Sequence, residues 1–212
     1  MSGRKVCPWR IVSSRITYED RWLRLRSDRC QTAEGAVIDP YHVIESADWI
    51  NVVALTRHWQ LLLTREYRHG CGDVVIGLVG GLIEPDDRSA EAAARRELLE
   101  ETGHGGGAFT QILVCYANAA RQNNKVTSFL AVDVEPLAEP HLDPGGAEAI
   151  EIVEDDLPTV LSRLRRNELR MSATHVAALW SAAAAITTGA VATTEDLRTG
   201  LYAALATSPR AE

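Results

Sequence analysis

The sequence predicts an α+β protein in which helices are inserted between the strands of a mixed sheet, behind a small N-terminal β region. Three observations support this class. Loosely alternating apolar and polar segments, separated by turn residues, fill the first part of the chain. One alanine-rich segment, RSAEAAARRELLEETG (88–103), carries helix start and stop signals. Beyond it, segments typical of strands give way to segments typical of helices.

Each element is predicted from local patterning, in chain order. Short strands are expected within 11–46, and a stronger strand pair at 49–56 and 59–68 across a short turn. Residues 72–85 are expected to form an apolar strand that runs into a glycine turn and stops at a proline, and GHGGG (103–107) a flexible link. Later strands are expected at 109–117, 125–134 and 149–153, and a Pro/Gly-rich loop at 136–146. Later helices are expected at 156–166, 172–188 and 193–207.

Composition and charge exclude several classes of protein. The 212 residues are 46% hydrophobic and 24% charged, which is ordinary for a globular domain with a core. The net charge of -7, without a basic stripe, argues against a protein that grips polynucleotide by its phosphates. The four cysteines lack Cys-x-x-Cys spacing, the N-terminus lacks the apolar run of a signal peptide, and the longest apolar stretch (177–186) is too short to span a bilayer. We therefore expect a soluble, cytoplasmic protein that binds neither nucleic acid nor membrane.

Three acids share one face near the end of the predicted helix. Ser89 is expected as the N-cap and Gly103 as the C′ residue, which places the acids in the last turn or so. These acids are Glu97, Glu100 and Glu101. The negative end of the helix dipole disfavours each added anion there by about 0.3–1 kcal/mol. A bound divalent cation such as Mg²⁺, which prefers hard oxygen ligands, accounts for their placement.

The flanking residues favour the metal over the alternative of a solvated helix laced by i, i+4 ion pairs. The stretch GLIEPDDRSAEAAARRELLEETGH (81–104) resembles the Nudix box: Gly, five residues, Glu, seven residues, Arg-Glu, an aliphatic residue, any residue, Glu-Glu, any residue, Gly, and an aliphatic residue. The half over 96–103 matches without a gap. The chain departs by one extra residue before Arg96, by Asp86 or Asp87 in place of the first Glu, and by His104 at the last position.

The resemblance implies a hydrolase that uses Mg²⁺, with Mn²⁺ as a substitute. It implies Glu97 and Glu101 as direct metal ligands, and Glu100 as a further ligand or as a group that hydrogen-bonds to the ligands. Arg96 would belong to the catalytic machinery with Glu100 and would hold the carboxylates through hydrogen bonds. In relatives that act on ADP-ribose-like substrates, the backbone carbonyl just before the box glycine also binds metal. That position is Gly80 here.

Two segments outside the box resemble the ADP-ribose pyrophosphatase and nucleotide-sugar hydrolase branch. REYRHG (65–70) is similar to a Gln-Tyr-Arg-His element, which makes Arg65 and Arg68 candidates for binding phosphates, with surface arginines on an edge strand as the alternative. YANAARQNNKVTSFLA (116–131) is similar to a segment whose polar residues line a loop beside the substrate. Those residues are Asn118, Arg121, Asn123 and Asn124 here. The chain departs from the branch, where substrate choice would be made, at Gly77, Val79, Ala117 and Ala119.

The attacking water needs a proton acceptor. The segment GGAEAIEIVE (145–154) is similar to the loop that supplies this group in the ADP-ribose branch. Glu148 falls on the position in question, with Glu151 as the alternative, and either could instead be an ordinary loop or edge-strand acid. The six histidines lack metal-ligand spacing, and most are expected at the surface or in loops.

The resulting expectation is a Nudix α/β/α sandwich over 47–188, a small antiparallel β region over 1–46 that helps to build a homodimer, and a tail over 189–212 with a short helix. N-terminal aromatics stack on adenine across the interface of dimeric relatives, a role that would fall to Trp9 or Trp22. The expected reaction converts ADP-ribose to AMP and ribose 5-phosphate, and GDP-mannose or another nucleotide sugar is the second substrate class. A non-catalytic ligand-sensing module is the competing interpretation, but such modules usually lose carboxylates that this helix keeps.

Overall fold

The structure, a computed structural model, describes residues 6–141 and 149–206. These residues form two compact units. The first unit takes its described residues from Met1–Ala47 and Tyr116–Lys125, and the second takes them from Asp48–Cys115 and Val126–Glu212. The chain therefore leaves the second unit once, at 116–125, and then returns to it.

The first unit contains a three-stranded antiparallel sheet. Its strands, in spatial order, are β1 (Arg10–Glu19), β2 (Arg24–Gln31) and β3 (Val37–Glu45). The segment 116–125 is attached to β3, because the Ile44 amide donates to the Arg121 carbonyl at 2.8 Å and the Tyr41 hydroxyl donates to the Ala120 carbonyl at 2.6 Å. The small N-terminal β region that the alternating pattern predicts is confirmed.

The described residues of the second unit form a mixed sheet and four helices. Its strands are β4 (Trp49–Thr56), β5 (Gln60–Arg68), β6 (Asp73–Gly77), β7 (Val79–Leu82), β8 (His104–Tyr116), β9 (Lys125–Pro136) and β10 (Ile150–Asp156). Its helices are α1 (Ala90–Thr102), α2 (Leu157–Arg165), α3 (Ala173–Thr187) and α4 (Glu195–Ala206). The sheet has the order β10-β5-β4-β9-β8, with β6 on β5 and β7 on β4, and β4 runs parallel to β9. None of these four helices is both long and apolar enough to span a membrane.

Alternation along β4 places apolar side chains on both faces of this sheet. Ile50 and Val52 pack with Leu98 of α1 on one face. Val53 and Leu55 pack with buried residues of α2, α3 and α4 on the other face. Because helices cover both faces, β4 is apolar at almost every position. The predicted α+β class with α/β/α layering is confirmed.

The strand expected over 72–85 is two strands, because the chain changes its pairing partner at Leu78. Gly77 at the end of β6 lies opposite Thr64 on β5. Val79 at the start of β7 lies opposite Val52 on β4. A strand that passes from one neighbour to another must interrupt its hydrogen-bond ladder, and residues distant in sequence determine where that happens.

The flexible link expected at 103–107 is wrong, because β8 begins at His104 and runs for 13 residues. β8 pairs with β9 at the edge of the sheet. A Cβ on Gly107 would overlap the carbonyl oxygen of Val132 on β9, and Gly106 and Gly107 have φ values of 72° and 64°. These glycines therefore permit a close approach of two strands and a left-handed backbone rather than a mobile connection.

Candidate active site

Local signals at both ends hold helix α1 in place. The Ser89 hydroxyl accepts a hydrogen bond from the Ala92 amide at 3.1 Å. Gly103 ends the helix in the left-handed conformation, with a φ of 70°, and its amide donates to the Leu99 carbonyl at 2.8 Å. The predicted N-cap and C′ residues are thus confirmed. The last turn of α1 contains no basic residue, so the three predicted acids stand at the negative end of the helix dipole without a neutralising charge in that turn.

Arg96 binds three carboxylates and fixes them relative to one another. Its Nη1 donates to Glu97 Oε1 at 2.9 Å and to Glu100 Oε2 at 3.0 Å, and its Nη2 donates to Asp87 Oδ2 at 2.9 Å. Nη2 also donates to the Leu82 carbonyl at 3.1 Å. Asp87, with a side chain only 8% exposed, is therefore the aspartate that joins the cluster, and the hydrogen bond from Arg96 holds the pKa of Asp87 below its usual range. Arg96 thus makes the contacts of a residue that orients carboxylates.

Glu97 and Glu101 are partly buried acids whose charged forms their surroundings disfavour. Burial, and after it the charge of Glu97, raises the pKa of Glu101 to about 8. Burial also raises the pKa of Glu97, against the opposing effect of Arg96. The Gly80 amide donates a weak hydrogen bond to Glu101 Oε2 at 3.4 Å. Two partly buried carboxylates that repel each other form a place where a cation is stabilised.

Two glycines of β7, Gly80 and Gly81, stand where a Cβ would meet close neighbours. A Cβ on Gly81 would overlap the Glu97 carboxylate, and a Cβ on Gly80 would overlap the Ile50 carbonyl oxygen of β4. Gly80 therefore lets β7 lie close to the backbone of β4, and Gly81 leaves room for the Glu97 carboxylate beside β7. The Gly80 amide lies beside Glu101, and metal binding by the Gly80 carbonyl stays a prediction.

This set of oxygen donors fits a hard divalent cation. Within 6–141 and 149–206, no three His, Cys, Asp or Glu side chains are grouped as a preformed metal site. Mg²⁺ does not need such a cage, because it keeps several waters and takes one or two carboxylates together with substrate phosphates. Glu97 and Glu101, with their raised pKa values, offer that number of carboxylates. Glu100 lies nearer solvent, with a side chain that is 44% exposed and bound to Arg96.

Glu66 on β5 is an acid near Glu101 that the sequence prediction omits. Its side chain is 7% exposed, and its charge contributes to the raised pKa of Glu101. Arg68 Nη2 lies 2.5 Å from Glu66 Oε1, and the charge of Arg68 acts on Glu101 in the opposite direction. Alternation puts residues 66 and 68 on the same face of a strand, and this signal was available in the sequence. Arg68 therefore lies close to the carboxylates with a side chain that is 52% exposed.

Arg65 and Glu151, two further candidates, bind each other. They lie opposite each other in the β5–β10 pair, and Arg65 Nη1 donates to Glu151 Oε2 at 3.2 Å. Both side chains are more than half exposed, at 52% and 64%. Because neighbouring residues of a strand point to opposite faces, Arg65 points away from the face that carries Glu66. These contacts favour the alternative of a surface arginine at 65. Glu148, the candidate base, lies outside the described residues.

The polar loop candidates Asn118, Arg121 and Asn123 belong to the first unit. Asn118 Oδ1 accepts a hydrogen bond from the Ala120 amide at 3.2 Å. Asn123 Oδ1 accepts one from the Ser46 amide at 3.1 Å, just beyond β3. The two asparagines therefore shape their own loop and hold it to the N-terminal sheet, and contact with substrate stays a prediction for all three.

Comparison with known proteins gives concordant matches along the chain. Residues 48–167 match the family described as the NUDIX domain, and residues 9–44 match the nucleoside diphosphate sugar hydrolase N-terminal domain. A Caenorhabditis elegans protein named as a nudix hydrolase is 26% identical over 162 residues, which cover 69% of this chain and 72% of that protein. The ADP-ribose pyrophosphatase of Bacillus subtilis (strain 168) is 25% identical over 154 residues, which cover 66% and 82%. A crystal structure of an ADP compounds hydrolase has the same fold, with a TM-score of 0.76 and 22% identity over 89% of this chain and 100% of that one.

Proposed function

Because this chain belongs to the NUDIX domain family and is a pyrophosphohydrolase, we propose that it hydrolyses a nucleoside diphosphate linked to another group, with ADP-ribose as the leading substrate. Water adds across the diphosphate, the P–O–P bond breaks, and AMP and ribose 5-phosphate result. The observation that carries this proposal is the pair of neighbouring, partly buried acids, Glu97 and Glu101, beside the glycine backbone of β7.

Members of the family generally use a divalent metal ion, typically Mg²⁺. Glu97 and Glu101 would hold it together with the Gly80 carbonyl, and Mn²⁺ would substitute for it. When bound, the ion supplies positive charge for the phosphate oxygens and lowers the pKa of a water molecule. Arg96 keeps Glu97 and Glu100 in fixed positions through the hydrogen bonds described above.

Two further side chains complete the proposed reaction. Arg68 offers planar guanidinium donors, which suit phosphate oxygens, from an exposed position next to Glu66. Glu148 accepts the proton of the attacking water, with Glu151 as the alternative. Glu151 forms a cross-strand pair with Arg65, so a role as the base would require its carboxylate to leave that arginine.

A nucleotide sugar such as GDP-mannose is the second candidate substrate. The match of residues 9–44 to the nucleoside diphosphate sugar hydrolase N-terminal domain favours it. ADP-ribose stays first, because the named relatives include an ADP-ribose pyrophosphatase and the solved structure is that of an ADP compounds hydrolase. The departures at Gly77 and Val79 lie at the crossover into β7.

A substrate panel tests the proposal. Purified protein is incubated with ADP-ribose, GDP-mannose and other nucleotide sugars, in Mg²⁺ and in EDTA, and the products are separated by chromatography. We expect AMP and ribose 5-phosphate from ADP-ribose, the highest kcat/KM for this compound, and no turnover in EDTA. A kcat/KM for GDP-mannose above that for ADP-ribose would identify the nucleotide sugar as the preferred substrate. No turnover of any compound, with tight binding of the intact compound, would instead establish a sensing module.

We propose a homodimer formed through the first unit. Every residue of β1 is exposed, and the apolar ones expose roughly half of their surface. These apolar side chains are Ile11, Val12, Ile16 and Tyr18. Such a patch on a small sheet is typical of an interface. Trp22 is 79% exposed, with the Arg21 guanidinium 4.4 Å from the centroid of its ring, and the ring of Trp9 packs edge-on against Tyr41 at 5.9 Å. Both stay candidates for stacking on adenine.

The dimer predicts a mass twice that of the chain in light scattering after size exclusion. Ile16→Glu is expected to give the monomer mass, because it places a charge within the apolar patch. Val114→Glu, at a comparably exposed apolar position on β8, is the matched control and is expected to stay dimeric. A monomeric wild-type protein, or a dimer that Ile16→Glu leaves intact, would contradict an interface at β1.

We also propose a cytoplasmic location and no affinity for nucleic acid. All four cysteines are free, and Cys7 and Cys71 are exposed, which suits a reducing compartment. The net charge of -7 opposes binding to polynucleotide phosphates. Cell fractionation with an antibody checks the first statement, and a gel-shift assay at low salt checks the second.

A further inference from the structure

His175, in the first turn of α3, forms a hydrogen bond at the crossover between β6, which pairs with β5, and β7, which pairs with β4. The Leu78 amide donates to His175 Nδ1 at 3.2 Å. Leu78 is the single residue between β6 and β7. The bond therefore connects α3 to the crossover that leads directly into Gly80 and Gly81. The sequence offered no such role, because α3 follows the crossover by almost a hundred residues.

The imidazole of His175 also packs against Gly77, the last residue of β6. A Cβ on Gly77 would lie 3.2 Å from Cε1 and 3.3 Å from Nδ1 of His175, and 3.3 Å from Thr64 Oγ1. A side chain at position 77 would therefore need the ring or the strand to shift by a few tenths of an ångström. Glycine, which departs from the pattern of the branch at this position, leaves the ring in place against β6.

The ring is in the protonation state that the hydrogen bond requires. Burial, and after it the positive charge of Arg68, lowers the pKa of His175 to about 4. The imidazole is therefore neutral near pH 7, with the acceptor lone pair on Nδ1 and the proton on Nε2. A protonated ring would turn an N–H toward the Leu78 amide, and the hydrogen bond would be lost.

We propose that His175 is a positioning residue, which fixes the β6–β7 crossover through Leu78 and thereby sets the Gly80–Gly81 backbone against Glu97 and Glu101. The expected effect of His175 on turnover rests on the proposed function, whereas the hydrogen bond between His175 and Leu78 is independent of it. A Cβ on Gly80 would overlap the backbone carbonyl oxygen of Ile50 on β4, so β7 has little freedom to move toward that strand. Loss of the Leu78 bond frees the crossover two residues before Gly80 and shifts the backbone that lies beside Glu97 and Glu101.

Nuclear magnetic resonance tests the bond itself. The ring nitrogens of His175 are expected to show the Nε2–H tautomer from pH 8 down to pH 6, with protonation only near pH 4. His175→Phe keeps a ring but removes the acceptor, so exchange of the Leu78 amide with solvent is expected to rise at least about tenfold. His175→Asn keeps an acceptor on a smaller side chain and should restore part of the protection. His58→Phe makes the same replacement at an exposed turn, and should change nothing.

Metal affinity and kinetics test the positioning. We expect His175→Phe to weaken Mn²⁺ binding, followed by electron paramagnetic resonance in the absence of substrate, by about 10- to 100-fold, as for other groups that support metal ligands. With Mg²⁺ and substrate, kcat should fall by a similar factor of about 10 to 100 while KM changes little. His175→Asn should recover part of both losses, and His58→Phe should match the wild type.

Each alternative outcome has a definite meaning. Unchanged exchange of Leu78 in His175→Phe, or a His175 ring that titrates near its ordinary pKa, would overturn the hydrogen bond. Faster exchange with unchanged Mn²⁺ affinity would overturn the positioning role. Absence of turnover in the wild-type protein would overturn the proposed function instead, and the exchange and Mn²⁺ measurements would still decide the role of His175.

Discussion

Glu101→Gln is expected to lower kcat by about a thousandfold, within the range for loss of a group that activates water or holds the activating metal. The amide keeps the shape of the side chain but removes the charge that faces Glu97. Glu101 is the acid of α1 whose pKa is raised most clearly, to about 8, so its carboxylate gains most from a cation. The measurement is the rate of AMP formation at saturating Mg²⁺ and ADP-ribose.

Glu91→Gln provides the matched control for this variant. It makes the same chemical change on the same helix, in the first turn, where Glu91 is 46% exposed and paired with Arg95. Its kcat is expected to stay within about twofold of the wild type, because an exposed pair of this kind contributes about 0.2–1 kcal/mol to stability and nothing to the site. A near-normal kcat for Glu101→Gln would remove Glu101 from the metal ligands.

Glu101→Gln is also expected to unfold at a higher temperature than the wild type in EDTA at pH 8. The pKa of Glu101 is raised from 4.5 to about 8 in the folded protein. Between these two pH values, the folded state therefore keeps a proton that the unfolded state has released. Stability of the wild type therefore falls as pH rises from 4.5 to about 8, and Glu101→Gln escapes this loss. Thermal melts should show a difference that is largest at pH 8 and vanishes below pH 4.5. Added Mg²⁺ should raise the melting temperature of the wild type more than that of the variant.

Arg96→Ala is expected to destabilise the protein by about 3 kcal/mol and to lower kcat by at least about a hundredfold. Three carboxylates lose their common donor at once, and two of them have side chains that are only 8% and 15% exposed. The energy lies at the lower end of the range for a buried pair, because the side chain of Arg96 is itself 25% exposed. Urea unfolding in EDTA measures the stability, and initial rates measure kcat.

Two variants define what Arg96 contributes. Arg96→Lys keeps the charge but not the planar set of donors that reaches Asp87 and Glu97 together, so it should recover only part of the stability. Arg95→Ala removes the neighbouring arginine, which is 43% exposed, binds Glu91 and lies 4.0 Å from the centroid of the Phe109 ring, and should cost about 1–2 kcal/mol. Equal losses in the two alanine variants would show that the carboxylate cluster contributes no more than a surface ion pair.

The site was predictable from sequence where its geometry is local. A helix repeats every 3.6 residues and its ends depend on caps within a few positions, so Ser89, Gly103 and the spacing of Glu97 and Glu101 placed both acids on one face. The sequence left two candidates, Asp86 and Asp87, for the first acid of the box, and the hydrogen bond from Arg96 identifies Asp87 as the one that joins the cluster. Glu66 was overlooked, although alternation along β5 pairs it with Arg68 on one face.

Sequence by itself determined most of the order of strands and helices, the limits of α1 and the face that carries its acids, because hydrogen bonds in helices and alternation in strands act between near neighbours. Tertiary structure alone decided the break at Leu78, the start of β8 at His104, the pairing of Arg65 with Glu151 and the contact of His175 with the crossover. Each of these depends on which distant strand or helix lies alongside. A side chain thus acquires its burial, its partner and its protonation state only when segments far apart in sequence are brought into contact.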